Sequence, residues 1–381
     1  MQAMSKPKRI AVNTRFLLHN KLEGIGWFTY EVMKRMVKEH SDVEFHFFFD
    51  RPFHTEFLFG SNVVPHIVNP PARHPLLWYY WFEHALPAAL QKLNADLFLS
   101  TDGFLSLKTK IPTVMVVHDL AFEHFPKHVN AFAQQYYKRY CPQYARKASK
   151  IITVSEFSKN DIIKQYKINA EKICVAHNGA NELYKPIAHA DKAVIKAKYT
   201  DGKEYFIYVG SVHPRKNTGR LLQAFDAFKK KSNADCKLLI AGRMAWKFKD
   251  IERIFENMQY KHDVVFTGHK NIDELSQLTA AALCMCYVSS FEGFGIPVLE
   301  AMKCGVPVIT SNTSSMPEVG SEAALLVSPD SVDEIAVAMQ KVFADENLRT
   351  SMIDKGNAQA KKFSWDKTAE IVWRELEKFL R

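Results

Sequence analysis

Residues 289–311 read SSFEGFGIPVLEAMKCGVPVITS, two acids set eight positions apart among glycine, proline and apolar side chains. Pro297 suits the first position of a helix, where a missing N–H costs nothing, and Gly305 suits its end. The spacing predicts a helix over 297–304, preceded by the apolar run ALCMCYVS and followed at once by the strand VPVITS. Its N-terminus then lies at the carboxyl end of a strand, where open α/β sheets bind ligands. The unpaired N–H groups and positive dipole end there suit a phosphate, and Gly293 and Gly295 let it approach the backbone. Glu292 stands just before that anion site and Glu300 one turn inside it. A carboxylate aimed at a phosphate is repelled by about 1 to 4 kcal/mol at contact distance. The acids are therefore expected to face hydroxyl groups, Glu300 a ribose and Glu292 a second sugar. Singly, Glu300 also reads as a carboxylate stabilising the helix dipole and Glu292 as a solvated loop residue. Jointly, they describe a nucleoside diphosphate sugar.

A second loop has the same logic. In YFIYVGSVHPRKNTGRLLQAF a strand runs through Gly210 into a turn carrying Arg215 and Lys216, and Asn217 is expected to cap the next helix. Two cations beside a diphosphate would neutralise it, the arginine by bidentate contact. Taken alone, the turn is equally a basic surface loop.

Working outward, apolar β-rich runs alternate with helical patterns along the whole chain. RIAVNTRFL, EFHFFF, DLFLST, PTVMVVHD, KIITVSE and KICVAHNG precede residue 190, and YFIYVG, CKLLIAG, DVVFTG, ALCMCYVS, VPVITS and AALLVSP follow it. Most are continuously apolar, as parallel strands covered on both faces are. Segments such as 218–231 and 332–344 read as crossover helices. The fold class is α/β, with two doubly wound Rossmann-like domains. The expected division is 1–190, 191–360, and a C-terminal helix in 361–381 able to cross back to the N-terminal domain.

The 381 residues are too many for one comfortable core. No apolar run reaches the roughly 18 residues of a membrane span, and the first residues lack a signal-peptide core, so a cytoplasmic location is expected. The six cysteines show no C-x-x-C pair and read as buried thiols. The net charge of +10 is concentrated in the first half, with 24 basic against 16 acidic residues through position 190. That could suit an anionic partner, although scattered lysines are usually a solvated surface. No zinc-finger, helix-turn-helix or RNP pattern supports nucleic acid as a partner.

The stretch FEGFGIPVLEAMKCGVPVITS resembles the E-x7-E motif of the retaining glycosyltransferases of family 4, which have the GT-B fold with two domains facing a central cleft. EGIGWFTYEV, VVHDL, VSEFSKNDI, HNGANELYKP, VGSVHPRKN, AGR, FTGHK and SSMPEV occur in the family's order. The resemblance implies that Glu292 contacts the transferred sugar, Glu300 the ribose, and Arg215 and Lys216 the diphosphate. It gives Gly210, Gly293, Phe294, Gly295 and Ile296 to the donor site, with backbone groups around Gly268 and His269 at the base. Gly24 and Gly26 would form the N-domain loop closing on donor or acceptor, or a plain helix-start turn. His118 would sit beside the sugar, or be a satisfied histidine at a strand end, and Asp119 would serve the acceptor or merely orient His118. Ser211 departs from the arginine many members carry there, which leaves more of the neutralisation to Arg215 and Lys216. The pattern resembles the branch rich in mannosyltransferases; GDP-mannose is the favoured donor, with a UDP-sugar as the alternative.

The resemblance also implies retention of configuration without a metal or other cofactor, and no D-x-D motif is present. The acceptor is expected to be a glycan or lipid-linked saccharide of polysaccharide or lipopolysaccharide biosynthesis, with Asp102 in STDGFLSL a candidate for its hydroxyls. The aromatic segment HPLLWYYWFEHALPAALQKL (74–93) reads as an amphipathic core helix, or as a surface for sugar rings or the cytoplasmic face of the inner membrane. Competing readings are a nucleotide-sugar hydrolase or epimerase on the same scaffold, a dinucleotide oxidoreductase, and a nucleic-acid binder. The G-x-G at 24–26 lacks the third glycine that the oxidoreductase needs.

Overall fold

Twelve apolar runs become strands in the computed structural model, which describes residues 7–243 and 249–380, and a thirteenth joins them. The first sheet contains β1 (Arg9–Asn13), β2 (Glu44–Phe49), β3 (Val63–Ile67), β4 (Leu97–Ser100), β5 (Thr113–Val117), β6 (Lys150–Thr153) and β7 (Ile173–Val175). The second contains β8 (Glu204–Val209), β9 (Cys236–Ala241), β10 (Val264–Gly268), β11 (Cys284–Tyr287), β12 (Val308–Ser311) and β13 (Ala324–Val327). All neighbours are parallel, ordered β3-β2-β1-β4-β5-β6-β7 and β10-β9-β8-β11-β12-β13. Each order reverses direction once, between β1 and β4 in the first sheet and between β8 and β11 in the second. Those two points are where side loops part and leave a crevice.

The thirteenth strand is β3, VVPHI, which sequence reading passes over because Pro65 interrupts it. It lies at the sheet edge, where a residue without an N–H is tolerated.

One compact unit holds the chain up to Asn178 together with the residues from Ser364; the other is Gly179–Phe363. The division falls ahead of the one expected at 190, for a local reason. Lys303 Nζ donates to the carbonyls of Ala180 (3.5 Å) and Asn181 (3.2 Å), and Tyr184 is buried, which ties 179–186 to the second unit. The terminal helix Trp365–Glu377 lies against helix Gly24–Glu39 of the first unit. Arg35 reaches Asp366 at 2.5 Å, Trp365 is 4% exposed, and the His40 and Trp373 rings stack at 3.4 Å.

In the aromatic segment 74–93 the chain is helical from Pro75 to Leu93, with a widened π turn at Trp81–Ala85 just before Pro87. Pro87 has no N–H to donate to the preceding turn, and the wider turn accommodates its ring. Trp81, Phe82, Leu86 and Leu90 are buried in the core of the first unit. No helix among the described residues is long and apolar enough to cross a membrane.

Candidate active site

The crevice between β8 and β11 brings together three of the residues that the sequence singles out in the second unit, Arg215, Lys216 and Glu292. Arg215 and Lys216 lie in the turn Pro214–Lys216 after β8, and Glu292 follows β11. Lys216 Nζ meets Glu292 Oε1 at 2.6 Å and Arg215 Nη1 meets Glu292 Oε2 at 3.1 Å. Arg215 also donates to the Phe291 carbonyl at 2.5 Å. Burial by itself would push the Glu292 carboxyl up, but Lys216 and Arg215, by charge and hydrogen bond, outweigh it and hold it down at about 2. The three side chains form one nearly dry ionic cluster.

Tyr287, at the end of β11, completes it. Lys216 Nζ donates to the Tyr287 oxygen at 2.6 Å, and the phenol donates to Glu292 Oε1 at 3.0 Å. Sequence reading missed this residue: an aromatic in an apolar strand reads as core, and its hydroxyl is the only signal. The Glu292 backbone is fixed as well. Its N–H donates to Ser314 Oγ (3.1 Å) and its carbonyl accepts from Ser315 Oγ (2.9 Å). Both serines belong to the stretch SSMPEV.

Helix Ile296–Lys303 starts at the end of this loop. Gly295 precedes it at φ +92°, and a Cβ there would fall 2.3 Å from Met316 Cε. Gly293 and Phe294 are buried in the same loop. Glu300 sits one turn into the helix, as the spacing predicts. Burial lifts its carboxyl to about 8, only partly countered by a hydrogen bond from Tyr184 and the charge of Lys303. Glu300 is therefore held protonated near neutral pH, whereas Glu292 is held ionised. Tyr184 lies in HNGANELYKP, but nothing in that stretch shows that it meets Glu300.

Asn217 precedes helix Thr218–Ser232, but in a left-handed conformation at φ +60° and without a side-chain cap bond. Its amide instead donates to the carbonyls of Val288 (3.0 Å) and Pro329 (2.6 Å), binding the loops after β11 and β13 together. The capping expectation is corrected here: the left-handed backbone turns the side chain away from its own helix. Gly210 and Gly242 end the adjacent strands β8 and β9, and a Cβ on Gly242 would lie 1.8 Å from the Gly210 carbonyl oxygen. Gly268, at φ +70°, accepts from Gly242 N at 3.0 Å and is followed by the exposed His269.

In the first unit the crevice between β1 and β4 carries a second polar cluster. Arg15 Nε meets Asp102 Oδ2 at 2.5 Å with both side chains buried, and its guanidinium lies 4.9 Å and 4.6 Å from the Phe82 and Phe104 ring centres. Asp102 Oδ1 also accepts from Ser100 Oγ and the Phe104 N–H. Asp102 thus anchors the loop after β4, and its carboxylate is occupied rather than offered to acceptor hydroxyls. Its partner lies 87 residues away in sequence, so composition alone could not reveal the pair.

His118, after β5, donates from Nε2 to the Thr101 carbonyl at 2.9 Å, which fixes its neutral tautomer with the lone pair on Nδ1. Burial lowers its pKa, against the opposing pull of that bond and of Asp119 and Asp102, so the neutral ring persists. Asp119 Oδ1 accepts from the Ala121 N–H at 2.9 Å and shapes the backbone beside His118. Gly26 is required by close packing, since a Cβ would lie 2.8 Å from the Phe16 carbonyl oxygen; Gly24 has open space around it.

Comparison with known proteins gives this arrangement a family. Residues 22–182 match the family described as Glycosyltransferase Family 4, and residues 191–359 that described as Glycosyl transferases group 1. The O-antigen chain mannosyltransferase B of Escherichia coli is 32% identical over 254 residues, 66% of this chain and 67% of that relative. The O-antigen chain mannosyltransferase RfbU of Salmonella typhimurium is 28% identical over 320 residues, covering 81% and 82%. Among solved structures, Anabaena HepE in complex with UDP and glucose aligns with a TM-score of 0.78 at 18% identity, over 97% of this chain and 100% of that one. WaaG, a glycosyltransferase involved in lipopolysaccharide biosynthesis, aligns with a TM-score of 0.75 at 15% identity, over 95% and 97%. At such identities the structural likenesses speak for the fold, while the matched families and the E. coli relative speak for descent. The chain belongs to glycosyltransferase family 4, the retaining sugar transferases of GT-B fold.

Proposed function

We propose that the protein transfers mannose from GDP-mannose to a glycan or lipid-linked saccharide in O-antigen or related polysaccharide synthesis, with retention of configuration and without a metal ion. The observation that carries this reading is the Arg215–Lys216–Glu292 cluster at the β8/β11 crevice, beside the start of helix Ile296–Lys303. The choice of mannose rests on the two relatives named O-antigen mannosyltransferases.

In this reading the donor diphosphate lies against Arg215, Lys216 and the amides at the helix start. Two of the three Lys216 ammonium hydrogens are engaged by Tyr287 and Glu292, leaving one for a phosphate oxygen. The cations oppose the charge that grows on the departing phosphate, the part a divalent ion plays elsewhere. Glu292 holds both cations in place and meets the sugar hydroxyls. Glu300, held neutral near pH 7 by burial, contacts the ribose. The bond from the anomeric carbon to the β-phosphate oxygen breaks while the acceptor oxygen bonds to the same face of that carbon. The acceptor's proton passes to the departing phosphate oxygen. The enzyme works at the cytoplasmic side, where nucleotide sugars are made.

Thermal-shift titration with GDP, UDP and ADP and their sugars tests the donor: GDP and GDP-mannose should raise the melting temperature most. Transfer to an oligosaccharide acceptor should survive chelator, and nucleotide release should rise when acceptor is added. Release that ignores the acceptor would assign a hydrolase or epimerase instead. Silence from all three nucleotides at saturation would sink the reading.

A further inference from the structure

We propose that His19, His54 and Glu56 form a binding site for a divalent transition metal, zinc above all, on the surface of the first unit. The three donors come from two separate connections. His19 lies in the loop 14–23 that leaves the carboxyl end of β1, while His54 and Glu56 belong to the turn around Thr55–Phe57 that follows β2. Because β1 and β2 are parallel neighbours, their outgoing loops meet, although His19 and Glu56 stand 37 residues apart in sequence. His19 Nδ1 lies 2.5 Å from Glu56 Oε1, and His54 Nδ1 lies 3.7 Å from the same oxygen. The two imidazoles stack with centres 3.9 Å apart and planes 16° from parallel. One donor atom from each residue falls within 4.8 Å of the other two. In a tetrahedral zinc site, bonds of roughly 2.1 Å set neighbouring donors about 3.4 Å apart. The spacings from Glu56 bracket that value, so small side-chain rotations suffice to close the three around an ion.

The backbones that carry these donors are fixed. Thr14 Oγ1 donates to the Phe48 carbonyl at 3.0 Å, Leu17 is buried with its N–H on the Thr14 carbonyl at 2.9 Å, and the Lys21 N–H closes on the Leu18 carbonyl at 3.0 Å. His19 therefore sits inside a closed turn. Across from it, Phe57 is buried and its N–H donates to the His54 carbonyl at 3.2 Å. His54 Nδ1 accepts from the Glu56 N–H at 3.3 Å, a long bond that turns the imidazole lone pair toward Glu56, where a metal would take it over. The side chains themselves remain reachable: those of His19, Glu56 and His54 are 43%, 41% and 49% exposed.

Donor chemistry selects the metal. Two imidazoles and one carboxylate are a set that zinc accepts, with water in the fourth position, whereas calcium and magnesium take oxygen ligands. An exposed histidine–carboxylate contact contributes little stability by itself, so the ion gives up little in replacing it. Once bound, it clips the outer end of loop 14–23 to the turn after β2. The inner end of that loop is already held by Arg15 on Asp102. The ion thus steadies the connection that leads into helix Gly24–Glu39 and takes no part in sugar transfer. The proposal does not rest on the donor assignment, because its readouts are metal binding and melting.

Calorimetric titration of the full chain, stripped with a chelator and exchanged into clean buffer, is the test. It should take up one equivalent of Zn2+ and melt at a higher temperature with the metal than without it. Mg2+ and Ca2+ should do neither. His19→Ala and His54→Ala should each weaken zinc binding by about tenfold or more, and the double variant should lose the zinc-dependent rise in melting temperature. All three variants alter exposed side chains and should melt at the parent temperature in chelator. His66→Gln removes a different histidine, the one that meets His46 at 2.9 Å, and should leave zinc binding at the parent level. Absence of zinc uptake by the parent overturns the proposal. Uptake that survives in the double variant, or that His66→Gln removes instead, overturns it too and reduces the three residues to a surface hydrogen-bonding group.

Discussion

At Glu292 and Glu300 the same fold sets two carboxylic acids in opposite protonation states. Glu292 is surrounded by Lys216, Arg215 and Tyr287, while Glu300 has burial and a single tyrosine partner. Raised to about 8, the folded-state Glu300 keeps a proton that the unfolded chain gives up near the ordinary carboxylate pKa. Its cost to stability thus grows as pH rises from the ordinary value toward 8 and is constant above that. Glu300→Gln should therefore stabilise the ligand-free protein by about 3 kcal/mol at pH 7 and hardly at all near pH 4, read as melting temperature against pH. The same variant should weaken donor binding. Tyr287→Phe keeps the ring and deletes the hydroxyl between Lys216 and Glu292. We expect kcat/KM to fall about tenfold with the fold intact, measured by steady-state kinetics beside a thermal melt.

Gly295 shows how an element's start can be fixed by one dihedral. Its φ of +92° brings the chain out of the Glu292 loop and into helix Ile296–Lys303, against Met316. A side chain in that conformation costs about 1 to 2 kcal/mol, and Met316 would also have to move. Gly295→Ala should lower the melting temperature and reduce nucleotide affinity together, by calorimetry and equilibrium titration. The helix and its neighbouring strands were legible in sequence, because Pro297 and Gly305 punctuate it and the flanking strands are apolar throughout. That Glu292, Arg215 and Lys216 would lie near one another was expected, since all three follow strand ends, but their direct ion pairing was not. What escaped has a common cause. Tyr287, Tyr184 and the Arg15–Asp102 pair depend on which way a side chain leaves a buried strand or loop, and on partners far apart in the chain. Periodicity carries no such information.

For the molecule as a whole, the amphipathic pattern within residues 361–381 announced a terminal helix able to cross back to the N-terminal domain, and the residues from Ser364 are part of the first unit. Trp365, Val372 and Leu376 are all buried in the first unit, and Thr368 Oγ1 donates to the His177 carbonyl at 2.5 Å. Burying three such side chains contributes roughly 5 kcal/mol or more, comparable to the net stability of a domain. Ending the chain at Phe363 should leave the first unit unable to hold its fold while 179–363 stays intact, as limited proteolysis with fragment sequencing would show.

Because residues from Ser364 onward complete a unit begun at the other end of the chain, the order of synthesis matters. Gly179–Phe363 is one uninterrupted segment and can fold as it leaves the ribosome. The half made first must wait, its helix Gly24–Glu39 uncovered, until the half made second has been translated in full and the closing helix has followed it out.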